Sequence, residues 1–140
     1  GGILNLTNQS EEEHFLIFNP DTVWNNKYTE EINSMIDLYF SKNSKNMLLL
    51  VDKNLSFDKS FKGDFNLENY LISNKNNKNY IYTGCQVMNK AVLKNQQLNS
   101  FSISKIWIDL IKNKELNGFI SKKDFYHITD LQIFKKLQDF

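Results

Sequence analysis

Two short apolar runs with an amphipathic segment between them constrain this chain more than any other feature. Residues 15–19 read FLIFN and residues 47–51 read MLLLV. Both are strand-sized, and the first is apolar without alternation, the pattern of a strand covered on both faces. Between them, in TEEINSMIDLYFSK, Ile32, Met35, Ile36, Leu38, Tyr39 and Phe40 recur at helical spacing. Thr29 offers an N-cap, and Glu30 and Glu31 stand where the helix dipole favours carboxylates. Strand, helix and strand in that order predict a crossover unit, and hence an α/β fold.

The rest of the chain extends this pattern. YIYTGCQVM at 80–88 reads as a strand interrupted at Thr83-Gly84, where a glycine marks a bulge or a close backbone approach. Residues 91–93 suit a short helical turn. In FSISKIWIDLIK at 101–112, Ile103, Ile106, Trp107, Leu110 and Ile111 share one face, with Ser102 or Ser104 as cap. GFIS at 118–121 is a short strand, and LQIFKKLQDF a final helix capped by Thr129 or Asp130. Residues 54–79 are polar and read as loop, with GDFNL at 63–67 and SNKNNKN at 73–79. The expected architecture is a Rossmann-like, mostly parallel mixed sheet flanked by helices.

Bulk properties exclude several function classes. With 140 residues the chain is the size of one domain, and its net charge of +1 implies no nucleic-acid partner. The single cysteine, Cys85, has no intrachain disulfide partner and suits a reducing compartment, so the cytoplasm is expected. No apolar run approaches the roughly 20 residues of a membrane span. The chain opens on Gly1-Gly2 rather than a start Met, which reads as the interior of a longer polypeptide.

Few residues invite chemistry. Asp21 follows Pro20 at the C-terminal end of a strand, where open α/β sheets receive ligands; it is either an Asx-turn residue or a carboxylate for Mg²⁺. His127, in DFYHITD, is a partly buried structural ring, a metal ligand, a phosphate contact or a proton relay. Thr83-Gly84 is a plain bulge or a ligand approach, and Gly1-Gly2 a chain end or the tail of a glycine-rich nucleotide loop. His14, in an acidic loop, reads as surface, Gly63-Asp64 as a turn, and Lys122-Lys123 as solvated guards of a strand edge. No zinc spacing, GxxxxGK[ST] or HExxH occurs.

In order along the chain, GGI at 1–3, NPD at 19–21, GDF at 63–65, YTGCQ at 82–86 and FYHITDL at 125–131 together resemble the later portion of the sugar-phosphate nucleotidyltransferases. The likeness is to their short bacterial branch, with N-acetylmuramate 1-phosphate uridylyltransferase and mannose-1-phosphate guanylyltransferase-like members. It implies that residues 1–140 are the C-terminal portion of a single nucleotidyltransferase domain. It implies that Asp21 binds the catalytic Mg²⁺, that His127 takes the position of a second metal ligand, and that both are catalytic. Gly1, Gly2 and Asn19 would lie by the nucleotide, and Thr83 and Gly84 by the sugar. Pro20 replaces a small residue of the pattern, and Thr129, Asp130 and Leu131 replace its Gly-Thr-Pro.

The reaction so implied joins a nucleoside triphosphate and a sugar 1-phosphate, giving a nucleotide sugar and pyrophosphate. The family's opening strand and glycine-rich, arginine-bearing phosphate loop do not occur in these residues, so they are expected to turn over little alone and to expose a sheet edge. The rival expectation is a non-catalytic α/β remnant that binds a nucleotide sugar or a partner protein.

Overall fold

The structure is a computed structural model, and it describes residues 2–95 and 102–139. Helix α1 (Gly2–Asn8) leads into strand β1 (His14–Phe18), followed by α2 (Thr29–Ser41) and β2 (Asn46–Asp52). Then come β3 (Asn66–Glu68), β4 (Leu71–Ser73), β5 (Tyr80–Asn89), α3 (Ile103–Lys112), β6 (Leu116–Ser121) and α4 (Leu131–Gln138). Among the described residues no helix is long and apolar enough to cross a membrane.

The strands form one sheet in the order β1-β5-β2-β6-β4-β3. Strand β2 pairs parallel with β6 and antiparallel with β5, and β5 pairs antiparallel with β1. Strand β4 runs antiparallel to both β6 and β3. Strands β1, β2, β3 and β6 therefore share one direction, and the sheet is the expected mixed α/β sheet flanked by helices. The crossover differs in one respect. β1 and β2 point the same way, but β5 lies between them.

Side chains of β2 alternate between two cores. Leu48 and Leu50 join Leu4 of α1 and Ile106, Trp107 and Leu110 of α3, whereas Met47 and Leu49 meet Tyr28, Met35 and Tyr39 on the α2 side. Met47 through Val51 are each completely buried, and such burial stabilises the fold by about 1.5–3 kcal/mol per large side chain. The expectation that residues 15–19 form a doubly covered strand does not hold. Strand β1 is an edge of the described sheet, with Leu16 41% and Phe18 44% exposed. An unbroken apolar run does not distinguish a central strand from an edge that has lost or awaits a neighbour.

Local chemistry sets the helix ends. Thr29 lies inside α2; the cap sits earlier, where Asn25 accepts a 2.9 Å hydrogen bond from Lys27 N–H at the start of a 3₁₀ turn. Ser102 caps α3, and Asp130 caps α4 by accepting from Ile133 N–H at 2.9 Å. The β3–β4 hairpin falls in what reads as loop. Its turn residues Asn69 and Tyr70 have φ of 49° and 64°, the signs a type I′ turn requires, but three-residue strands and an Asn-Tyr turn give no strong sequence signal. His14 is not a free surface residue, because its Nδ1 lies 2.9 Å from the buried Tyr39 hydroxyl.

Candidate functional site

The site grows from the end of β1. Asn19 N–H donates to Gly84 C=O at 2.8 Å, one bond beyond the β1–β5 ladder. Pro20 has no N–H to continue it, so the chain turns outward at Asp21. Val23 N–H then donates to Tyr126 C=O and Ile128 N–H to Asp21 C=O, each at 2.9 Å, forming a short antiparallel bridge centred on Thr22 and His127. The bridge places Asp21 Oδ2 3.5 Å from His127 Nε2, with the imidazole 20% and the carboxylate 50% exposed.

The imidazole is held on several sides. It stacks on Phe125 with ring centres 5.9 Å apart and planes 20° apart, and meets Phe61 edge-on at 5.6 Å. The Thr22 hydroxyl, itself buried, donates to Thr83 C=O at 2.7 Å and lies 3.4 Å from His127 Nδ1. Farther along the same segment, Thr129 donates its hydroxyl to Asp58 at 3.2 Å. Hydrogen bonds from the Ser60 hydroxyl and amide, and then from Thr129, hold the Asp58 carboxyl below the usual carboxylate range.

On the α3 side of the sheet, Gly63, Asp64, Lys78, Tyr82, Ser104 and Trp107 line a cleft of about 330 Å³. Asp64 accepts from Tyr82 N–H at 2.9 Å, tying the 63–65 turn to β5. Gly63 has φ of 86°, and a Cβ there would stand 2.5 Å from Lys78 C=O, so a side chain would collide with the cleft wall. Burial, more than any neighbouring charge, pushes the Tyr82 phenol up, and its hydroxyl is buried without a hydrogen-bond partner. The phenol therefore stays neutral.

Of the residues singled out in the sequence, Asn19, Asp21, Thr83, Gly84 and His127 gather here. Thr83 is fully buried and donates its hydroxyl to Leu49 C=O at 2.8 Å, so its side chain faces the sheet interior. Gly2 opens α1, whose Leu4 packs on the α3 side of the core; Gly1 lies outside the described residues. Sequence reading missed Thr22, Phe61, Tyr82 and Phe125. The Asp-Thr dipeptide at 21–22 was the only local hint of a hydroxyl beside the carboxylate, whereas the aromatic contacts depend on the bridge.

Among the described residues no three or more His, Cys, Asp or Glu side chains converge in metal-binding fashion. Asp21 and His127 are a pair, one carboxylate and one imidazole. A divalent cation held by them would take its remaining ligands from water and phosphate oxygens. The Asp21 carboxylate fits Mg²⁺, whereas an imidazole is a ligand that Mg²⁺ seldom takes.

No protein-family profile and no curated protein matches the sequence. Solved structures do match the fold. An assigned glucose-1-phosphate thymidylyltransferase from Bacillus anthracis, in complex with a sucrose, superimposes with a TM-score of 0.73 at 11% identity, over 98% of this chain and 58% of that one. The inositol-1-phosphate CTP transferase from T. maritima gives 0.71 at 15% identity, over 94% and 55%. HddC from Yersinia pseudotuberculosis gives 0.64 at 19% identity, over 96% and 58%. The chain thus spans little more than half the length of these structures, and over that span it shares their Rossmann-like α/β fold.

Proposed function

We propose that this chain is a nucleotide-sugar-binding part of a nucleotidyltransferase-type domain. What supports the reading is the cleft walled by Asp64, Tyr82, Ser104 and Trp107, on a fold shared with solved sugar-phosphate nucleotidyltransferases. The indole face and ring edges of the cleft suit the apolar face of a hexose, while Asp64 and Ser104 offer hydroxyl partners. Asp21 faces the phosphates, with any divalent cation placed between. Asn19, whose side chain covers Gly84, is the group offered to the ligand at this strand end, and Gly2 belongs to the nucleotide side.

In the complete domain, of which residues 1–140 form the C-terminal portion, an oxygen of the sugar 1-phosphate attacks the α-phosphorus of a nucleoside triphosphate. The bond to the β-phosphate oxygen breaks, and pyrophosphate leaves. A cation bound at Asp21 supplies neutralisation of the charge that builds on those oxygens. This chain's residues orient the acceptor sugar and hold the phosphates. They do not provide the glycine-rich phosphate cradle, so binding is their own contribution and transfer belongs to the larger domain. A location in the cytoplasm belongs to the same reading and is supported by the lone cysteine, Cys85.

Trp107 gives a direct test. With Trp24→Phe removing the other indole, a series of nucleotide sugars titrated against the chain is expected to quench Trp107 fluorescence saturably, and Asp64→Ala to weaken the effect about tenfold. Fluorescence indifferent to every nucleotide sugar and sugar 1-phosphate would remove the binding reading. Pyrophosphate release by the 140-residue chain itself would move it from binding part to transferase.

A further inference from the structure

Two donors beneath the α3-side cleft have nothing to donate to. The Tyr82 hydroxyl and the Trp107 indole N–H are both buried, and neither has a hydrogen-bond partner among the described residues. Their rings meet edge to face with centres 4.9 Å apart, both residues line the cleft, and Trp107 is only 9% exposed. The Gln86 amide does not relieve the phenol. Gln86 Oε1 accepts from Asn46 Nδ2 at 3.0 Å, and the action of Gln86 on the phenol is to lower its pKa, the effect of an N–H neighbour rather than of an acceptor. An indole N–H can only donate, and the phenolic hydrogen likewise lacks an acceptor. A buried donor left unmatched is destabilising, and an acceptor brought to it removes that cost.

We infer that Tyr82 and Trp107 are the specificity-determining residues of this cleft, and that the sugar it takes carries an acylamino substituent whose carbonyl oxygen accepts from both. This rests on reading the cleft as the sugar side of the site. Each part of such a substituent finds a counterpart. The carbonyl oxygen brings two lone pairs to two donors. The amide N–H meets the Asp64 carboxylate, which takes Tyr82 N–H through Oδ2 and keeps Oδ1 for a ligand. The methyl group meets Phe65, Ile108 and Ile111, of which Ile108 is 44% exposed and has apolar surface still to bury. A hydroxyl in the same place brings an oxygen but no apolar atoms. A carboxylate would gain from Lys78 on the cleft wall but would set its charge beside Asp64. Both donors are shut off from water, so the two side chains turn toward the cleft as the carbonyl enters.

The test uses sugar 1-phosphates that differ at one substituent and require no choice of base. The chain with Trp24→Phe, which leaves Trp107 as its one indole, is labelled with ¹⁵N and followed by ¹H–¹⁵N NMR. It is titrated with N-acetylglucosamine 1-phosphate, glucose 1-phosphate and glucuronic acid 1-phosphate. The acetylated compound is expected to bind about tenfold tighter than glucose 1-phosphate, the difference two neutral hydrogen bonds make, and to move the indole proton downfield. Tyr82→Phe is expected to cut that preference to about threefold or less. Without ligand this variant is expected to be at least as stable as the unaltered chain, because it removes an unmatched hydroxyl. Equal affinity for the acetylated and plain sugars overturns the acylamino assignment and leaves the binding reading intact, as does tightest binding of the glucuronate. Weakening of all three alike by Tyr82→Phe, or binding of the acetylated sugar with the indole resonance unmoved, overturns the role of the pair. If none of the three binds while nucleotide sugars still quench Trp107, this inference falls and the binding reading stands; if nothing binds, both fall.

Discussion

Gly84 lies directly under Asn19: a Cβ on Gly84 would stand 2.9 Å from Asn19 Cβ and 3.1 Å from Thr22 Oγ1, and the residue has φ of 94°. Both the close approach and the left-handed backbone exclude a side chain here. Gly84→Ala is expected to destabilise the chain by about 1–3 kcal/mol and to shift the amide resonances of Asn19 and Thr22. Urea unfolding checks the first and NMR the second. An unchanged midpoint would mean that β5 relaxes without the glycine.

Asp21 and His127 share one contact but differ in what they do for the fold. The carboxylate is half exposed, and such a pair adds little stability. Asp21→Asn is expected to change unfolding free energy by less than about 0.5 kcal/mol, yet to weaken nucleotide-sugar binding in the Trp107 titration. His127→Ala removes the ring contacts with Phe125 and Phe61 and is expected to cost about 1–2 kcal/mol. Equal stability losses for the two variants would show that the Asp21–His127 contact, not the aromatic stack, holds this segment.

Alkaline conditions should weaken the α2 side of the core. Burial pushes the Cys85 thiol from its ordinary 9.0 to about 12, and the Tyr39 phenol from 10.0 to about 12. The folded state therefore holds both protons more tightly than the unfolded chain. Stability is full below about pH 9 and drains as pH rises toward 12, with a slope of at most about 1.4 kcal/mol per pH unit for each group. Cys85→Ala is expected to remove the loss that begins near pH 9 and to leave the Tyr39 contribution that begins near pH 10. Unfolding midpoints across this range check it, and a Cys85→Ala profile parallel to the unaltered chain would refute it.

The two apolar runs should respond oppositely to substitution. Leu49 is completely buried in β2, and Leu49→Ala is expected to cost about 2–5 kcal/mol. Leu16 projects from the edge strand β1, so Leu16→Lys is expected to cost less than about 1 kcal/mol and to reduce concentration-dependent association through that edge. Analytical ultracentrifugation of the lysine variant reads the second effect. Association undiminished by the lysine would place the contact elsewhere on the surface.

The sequence by itself determined the local elements: α2 and α3 from helical spacing, β2 and β5 from their apolar runs, and the interruption at Gly84. These are legible because periodicity and backbone freedom act within a few residues. It also marked Asp21 and His127 as residues with chemistry to offer, but left the turn and structural readings of each open. Only the tertiary structure decided that β5 separates β1 from β2, that β1 is an edge, and that residues 66–73 form a hairpin. Only it showed that Thr22 and His127, 105 positions apart, pair across a two-bond bridge. Strand order and register are set by which apolar faces can be buried together across the whole sheet. The surroundings of His127 follow from that register, because the Thr22 hydroxyl beside its ring comes from a segment no local pattern connects to it.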